Sequence, residues 1–123
     1  PVSCAAALAN LDVFENESLV AEAARKGRLV EPAMRDIQER FPNHIARFTG
    51  KGLLWAFHVR NPQTGELDLD LAAEWTWATV RRGVMVFHTM RPSIKICPPL
   101  TIPDDALLEG ITAIGEALES IVN

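Results

Sequence analysis

The sequence lacks the features that mark membrane-spanning and nucleic-acid-binding proteins. No run of about twenty apolar residues occurs, so no segment is predicted to cross a bilayer as a helix. The net charge is -4, and the twelve lysines and arginines are scattered along the chain. A basic patch is therefore missing, and we expect no nucleic acid and no membrane among the partners.

The usual motifs of metal, phosphate and nucleophile sites are missing as well. The three histidines, at positions 44, 58 and 88, lack the spacing of zinc ligands. Gly50-Lys51-Gly52 lies between two predicted strands, so it indicates a tight turn and not a phosphate-binding loop. Nothing marks a serine or cysteine as an activated nucleophile. We predict no metal site.

Cysteine is scarce, which favours a reducing compartment. Cys4 falls in a helical pattern and Cys97 in a strand, and both are predicted to be small buried residues. No signal or transit peptide is visible, so we expect a cytoplasmic location. The first residue is Pro1 and not methionine, which suggests a processed start or a piece of a longer chain.

Helical periodicity dominates the first third of the chain. Residues 1–26 are predicted to form a long helix with a bend or cap at residues 16–18, and Gly27 is predicted to end it. A second helix is expected over residues 29–41, because Pro42 cannot continue it. An apolar stripe at helical spacing runs along the first helix: Cys4, Leu8, Leu11, Phe14 and Val20.

After Pro42 the pattern becomes that of short strands and two further helices. Strands are predicted at 45–49 and 53–59, or one strand with a glycine bulge, and then a turn at 61–65. A helix should start at Asp68 or Asp70 and end at Gly83, followed by a short strand at 84–87. Pro103 should open the last helix. Together these elements predict an α+β fold, with a small antiparallel or mixed sheet covered by helices.

The stretch 94–102 has the sequence IKICPPLTI, which alternates apolar and polar residues before a double proline. The alternation predicts a half-buried strand, and the prolines should stop its pairing. Lys95 is therefore expected to project from the strand just before a rigid corner. Trp75 and Trp77 stand two apart in a helix and point to different faces, so at least one should lie outside the core as a candidate interface anchor.

Four stretches occur in order over essentially the whole chain: residues 1–13 (PVSCAAALANLDV), 50–55 (GKGLLW), 83–86 (GVMV) and 94–102. In this order and spacing they resemble the C-terminal part of class III (fold type I) pyridoxal-phosphate-dependent aminotransferases. The resemblance implies a small C-terminal domain at 27–123. Residues 1–26 would be the connecting helix that leaves a missing N-terminal cofactor domain.

The same resemblance implies where the chemistry lies. The Schiff-base lysine and the residues that bind pyridoxal 5'-phosphate would lie upstream, so this chain is expected to hold no catalytic or cofactor-binding residue. By itself it should be inactive and bind no cofactor. The intact parent would be a cytoplasmic homodimer that transfers an amino group from an amine or amino acid to a 2-oxo acid.

Lys95 is the one residue to which the resemblance assigns a candidate role. Many members of the family carry an arginine there that holds the substrate carboxylate, and Thr49 also stands where the family often has arginine. An ammonium group attracts a carboxylate as a point charge, without the bidentate geometry of arginine. The alternative for Lys95 is a solvated strand lysine or a partner in an interface salt bridge.

Two other functions remain open at the level of the sequence. A parent aminomutase of the glutamate-1-semialdehyde type would share the fold. A stand-alone α+β interaction module without a catalytic role would share the composition.

Overall fold

The computed structural model describes residues 1–88 and 90–123, which form an α+β fold of four helices and one sheet. The helices are α1 (Val2–Asn16), α2 (Leu19–Arg40), α3 (Leu69–Arg81) and α4 (Asp104–Val122). The strands are β1 (Ile45–Lys51), β2 (Leu54–Val59), β3 (Phe87–His88) and β4 (Ser93–Ile96). All strand pairs are antiparallel, in the order β1-β2-β4-β3. The predicted fold class is confirmed, and the sheet is not mixed.

One face of the sheet carries the core. Trp55, Phe57 and Val59 alternate along β2 as buried residues, and β4 buries Ile94 and Ile96 on the same side. Helices α2, α3 and α4 supply the other half of this core. The indole Nε1 of Trp75 donates to the carbonyl of Ile114 at 2.8 Å, which satisfies a polar group that is fully buried. The opposite face of the sheet carries exposed and half-buried residues.

The first two helices differ from the prediction at Gly27. The expected interruption at residues 16–18 is confirmed, since Ser18 has a φ of 49° between α1 and α2. However, α2 continues through Gly27, so the predicted helix end there is wrong. A Cβ atom at Gly27 would lie 2.8 Å from the Cα of Gly52, so this glycine permits a close approach between a helix and a hairpin. The predicted stop before Pro42 is confirmed.

Helix α1 has no buried residue among those that the structure describes. Its large apolar side chains are open to solvent, with exposed fractions of 83% for Val2, 63% for Leu8 and 61% for Leu11. Cys4 on this helix is exposed, as is Cys97, so the prediction that both cysteines are buried is wrong. None of the described helices is long and apolar enough to cross a membrane.

The remaining elements follow the prediction in most respects. The side chain of Asp68 accepts a hydrogen bond from the Leu71 amide at 2.9 Å and caps α3, and Gly83 follows that helix with a φ of 84°. Trp75 is buried, whereas Trp77 is 62% exposed, as the spacing predicts. The strand predicted at 84–87 is wrong in extent, because only Phe87 and His88 pair with β4, opposite Lys95 and Ile94.

Candidate functional site

The candidate site is the uncovered face of the sheet, which we call the outer face. Strand register assigns nine side chains to it: Arg47, Thr49, Lys51, Leu54, Ala56, His58, Phe87, Ser93 and Lys95. Lys95 pairs with Ala56 on one side and with Phe87 on the other, and Ala56 pairs in turn with Thr49. Thr49 and Lys95 therefore lie in one row, two strand spacings or about 10 Å apart.

The outer face is positively charged although the chain as a whole is negative. It carries Arg47, Lys51 and Lys95, and the four described strands contain no aspartate or glutamate. An exposed ammonium or guanidinium group attracts anions, and neighbouring cations add to the local potential. The outer face can therefore receive a carboxylate or phosphate group, and Lys95 is its cation on β4, beside the edge strand.

His58 and Thr49 form a polar contact beside Lys95. The Oγ1 atom of Thr49 lies 3.1 Å from Nε2 of His58, and His58 is the diagonal neighbour of Lys95 across β2 and β4. Partial burial, and secondly the charge of Arg47, lower the pKa of His58 below its ordinary value. The imidazole is therefore held neutral near pH 7 and acts on this face as a hydrogen-bonding group.

From the sequence, His58 is predicted to have no role, because the three histidines lack the spacing of zinc ligands. The position of His58 on the outer face could be predicted from the alternation along β2, which puts Leu54, Ala56 and His58 on one side. The proximity of His58 to Lys95 could not be predicted from the sequence, because β2 and β4 are separated in the chain by a turn, a helix and β3. Pairing between distant strands is decided by the tertiary fold.

The corner after β4 is held by helix α2. The Nζ atom of Lys26 donates to the carbonyl of Leu100 at 2.8 Å, immediately after Pro98 and Pro99. The guanidinium of Arg25 makes two hydrogen bonds of 2.8 Å to the carboxylate of Asp104, at the start of α4. Arg25 lowers the pKa of Asp104, chiefly through these hydrogen bonds.

The three lysines of the chain stand in different environments. Lys26 is 6% exposed, and its Nζ is committed to a backbone carbonyl. Lys95 is exposed and has Ala56 and Phe87 as its cross-strand neighbours. Lys51 ends β1 with an exposed side chain. Lys26 is therefore enclosed by packing, whereas Lys51 and Lys95 present their ammonium groups on the outer face.

The other residues considered from the sequence are dispersed. Within residues 1–88 and 90–123, no group of three or more histidine, cysteine or acidic side chains could hold a metal ion. Asp68 caps α3, and Asp104 pairs with Arg25. Cys4 and Cys97 lie apart, on α1 and after β4. Trp77 stands on the solvent side of α3, on a different element from the outer face.

Comparison with known proteins gives the family. The model of the class III aminotransferase family matches residues 1–118, so the chain belongs to this family. It is 29% identical over 119 residues to mitochondrial ornithine aminotransferase of Arabidopsis thaliana, covering 97% of this chain and 24% of that protein. It is also 29% identical over 128 residues to isoleucine 2-epimerase of Lentilactobacillus buchneri, covering 100% of this chain and 27% of the relative.

The fold agrees with solved structures of transaminases. A transaminase solved with L-alanine superposes with a TM-score of 0.87 and 26% identity, over 98% of this chain and 28% of the transaminase. This likeness confirms the α+β architecture. The chain thus spans about a quarter of the length of the curated relatives that it matches.

Proposed function

We propose that this chain is the C-terminal small domain of a pyridoxal-phosphate-dependent class III aminotransferase. The parent enzyme transfers an amino group from an amine or amino acid to a 2-oxo acid, and acts as a homodimer. Residues 1–26 connect the cofactor domain to the small domain of residues 27–123. The observation that carries the proposal is the match over nearly the whole chain to about a quarter of a longer enzyme.

The exposed surface of α1 supports the idea of a further domain. This helix is apolar on several sides and buries no described residue. A helix that is hydrophobic all round is typical of one enclosed by protein. Exposed apolar surface of this kind marks an interface, and a preceding domain of the same enzyme would cover it.

We assign the binding of the substrate carboxylate to Lys95. Its ammonium group stands on a cationic face whose strands carry no acidic residue, so no side chain of the sheet competes with an incoming carboxylate. The neutral imidazole of His58 lies diagonally opposite and can add a hydrogen bond to the same anion. The partly exposed ring of Phe87 lies on the other side and suits the apolar part of a substrate.

The isolated chain is proposed to be inactive, since transamination requires a lysine that forms the Schiff base, and the family resemblance implies that this lysine lies in the preceding cofactor domain. The test compares the chain alone with the complete enzyme that contains it. Each is mixed with pyridoxal phosphate, L-alanine and a 2-oxo acid, and amino transfer is followed by chromatography of the products. We expect transfer by the complete enzyme only. Turnover by the chain alone, or no turnover by the complete enzyme with any of several amine donors, would contradict the proposal.

The role of Lys95 predicts a substrate-selective defect. In the complete enzyme, Lys95→Ala should raise the KM for L-alanine by about tenfold, the size expected for losing one charge-assisted hydrogen bond. The KM for isopropylamine, in which a methyl group replaces the carboxylate, should change little. Lys51→Ala removes a cation from the same face and serves as the control. Equal effects of Lys95→Ala on the two donors would exclude a carboxylate contact.

The cellular location and the two alternative functions rest on the sequence alone. The cytoplasmic location stays a prediction, since the Arabidopsis relative is mitochondrial. The aminomutase and interaction-module alternatives also stay open as predictions, and no described contact favours either of them over an aminotransferase.

A further inference from the structure

Lys26 is a buried cation that the proposed chemistry does not use. Its side chain is 6% exposed in the middle of the contact between α2 and the segment after β4. Burying an ammonium group is costly unless polar partners replace the lost water. The carbonyl of Leu100 is such a partner, at 2.8 Å from Nζ. Because burying this ammonium group costs free energy, we interpret its hydrogen bond as a means of holding the backbone at Leu100.

The segment that Lys26 holds is stiff and leads directly to Lys95. Pro98 and Pro99 have fixed φ angles, so the chain between Ile96 and Leu100 has few ways to move independently of its ends. Asp104, at the far end of the segment, is held by both terminal nitrogens of Arg25. Two adjacent residues of α2 therefore fix the path from β4 to α4.

We propose that Lys26 is a positioning residue for Lys95, which it places by anchoring the double-proline corner at Leu100. This inference rests on the proposed role of Lys95 in carboxylate binding. The end of a short edge-proximal strand is free to shift when the corner behind it is released, and β4 has only four residues to resist such a shift. A displacement of the ammonium group weakens its contact with a carboxylate, because the interaction depends on distance and direction.

The alternative is that Lys26 contributes to stability alone. In that case its loss would lower the melting temperature or the amount of active enzyme, and kcat would fall equally for every substrate. A positioning role instead changes the KM for substrates that carry a carboxylate, and it requires Lys95 to be present. The two roles therefore differ in substrate dependence and in their response to a second substitution.

The test uses the complete enzyme with L-alanine and isopropylamine as probes. Lys26→Met retains the length of the side chain and removes the donor. We expect it to raise the KM for L-alanine by about fivefold, as for the loss of one hydrogen bond, and to leave the KM for isopropylamine nearly unchanged. Arg28→Met removes an exposed cation from the same helix and is the matched control.

A double-mutant cycle separates this inference from the proposed function. In the Lys95→Ala background, Lys26→Met should cause no further rise in the KM for L-alanine, since the two residues act through one contact. An additive rise, an equal rise with isopropylamine, or the same rise in Arg28→Met would overturn the inference. If Lys95→Ala itself shows no selectivity between the donors, the proposed function of Lys95 fails instead.

A second variant covers the case in which Lys26→Met does not fold. Asp104→Asn removes the negative charge and one acceptor from the part-buried contact with Arg25 at the other end of the same segment. It should raise the KM for L-alanine in the same direction by about twofold, the size of a weak ion pair. An unchanged KM in this variant, together with an unfolded Lys26→Met, would leave Lys26 a structural residue and overturn the proposal.

Discussion

Lys95 differs from an arginine in a way that has consequences for recognition. A single ammonium group accepts many approach angles, whereas a guanidinium group fixes a carboxylate by two parallel hydrogen bonds. In this chain the neighbours of Lys95 are Ala56, Phe87 and, diagonally, His58. Orientation of a bound carboxylate would therefore depend on His58 and on the apolar contact with Phe87, more than on the cation itself.

The lowered pKa of His58 predicts how stability depends on pH. Above the ordinary histidine pKa of about 6.5, both the folded and unfolded states hold a neutral imidazole, and the contribution to stability is complete. As the pH falls from about 7 to about 5, the unfolded state takes up the proton first, so the free energy of unfolding decreases. His58→Gln should remove this part of the slope, as measured by urea unfolding at a series of pH values.

Arg47 provides the internal check of that prediction. Its charge is the second cause of the lowered pKa, after burial, so Arg47→Met should make the pH dependence shallower without abolishing it. Identical slopes for the wild type and His58→Gln would show that other groups control stability in this range.

At the level of elements, the contact between α2 and the β1–β2 hairpin explains why Gly27 lies inside a helix, although the sequence pattern predicts a helix end there. Glycine in a helix usually weakens it, and the same residue often marks a helix end. Helix α2 nevertheless continues through Gly27 and also through Pro32. The buried side chains of Val30, Met34 and Ile37 supply the packing that outweighs the local penalties of glycine and proline. Gly27 is then required for the approach of the hairpin at Gly52.

This contact predicts opposite effects for two substitutions of glycine by alanine. Gly27→Ala should lower the free energy of unfolding by about 1–3 kcal/mol, because the new methyl group meets the backbone of Gly52 at 2.8 Å. Gly110→Ala, inside α4, should raise it by about 0.5–1 kcal/mol, because the added Cβ meets nothing within 4 Å beyond its own stretch of helix. Both values can be measured by chemical denaturation. Stabilisation by both substitutions would mean that α2 and the hairpin are not in close contact.

At the level of the whole molecule, the packing is uneven. The sheet and the helices α2, α3 and α4 share one core, whereas α1 adds no described buried residue to it. The start of α2 also remains open, since Val20 is 74% exposed. The apolar surface at this end of the molecule is what a neighbouring domain of the same enzyme would cover in the proposed parent.

The exposed surface of α1 predicts self-association of the isolated chain. Apolar patches that lack a partner associate with one another, so the sedimentation coefficient should rise with protein concentration. Leu8→Glu combined with Leu11→Glu should reduce this rise. Ala6→Glu combined with Ala9→Glu adds the same charge on the other side of α1 and should reduce it less. A chain that stays monomeric at all concentrations, or equal effects of the two pairs, would show that the Leu8–Leu11 stripe is not the associating surface.

Features that depend on near neighbours in the chain could be predicted from the amino-acid order. The helix start at Asp68 or Asp70, the glycine after α3, the stop before Pro42 and the division of Trp75 and Trp77 between two faces follow from spacing and local stereochemistry. The ordered motifs also gave the family, because they extend over nearly the whole chain. These signals depend on neighbouring residues or on the sum of several motifs, so they can be recognised in the sequence without knowledge of the fold.

Contacts between residues that are distant in the chain depend on the three-dimensional fold. Strand order brought Thr49, His58 and Lys95 to one face, and the packing of α2 placed the Nζ atom of Lys26 within hydrogen-bond distance of the Leu100 carbonyl. The same packing left Cys4 and Cys97 exposed, because α1 buries none of its described residues and Cys97 lies beyond the last buried residue of β4. Such outcomes depend on the simultaneous burial of several elements, and no local pattern in the sequence contains that information.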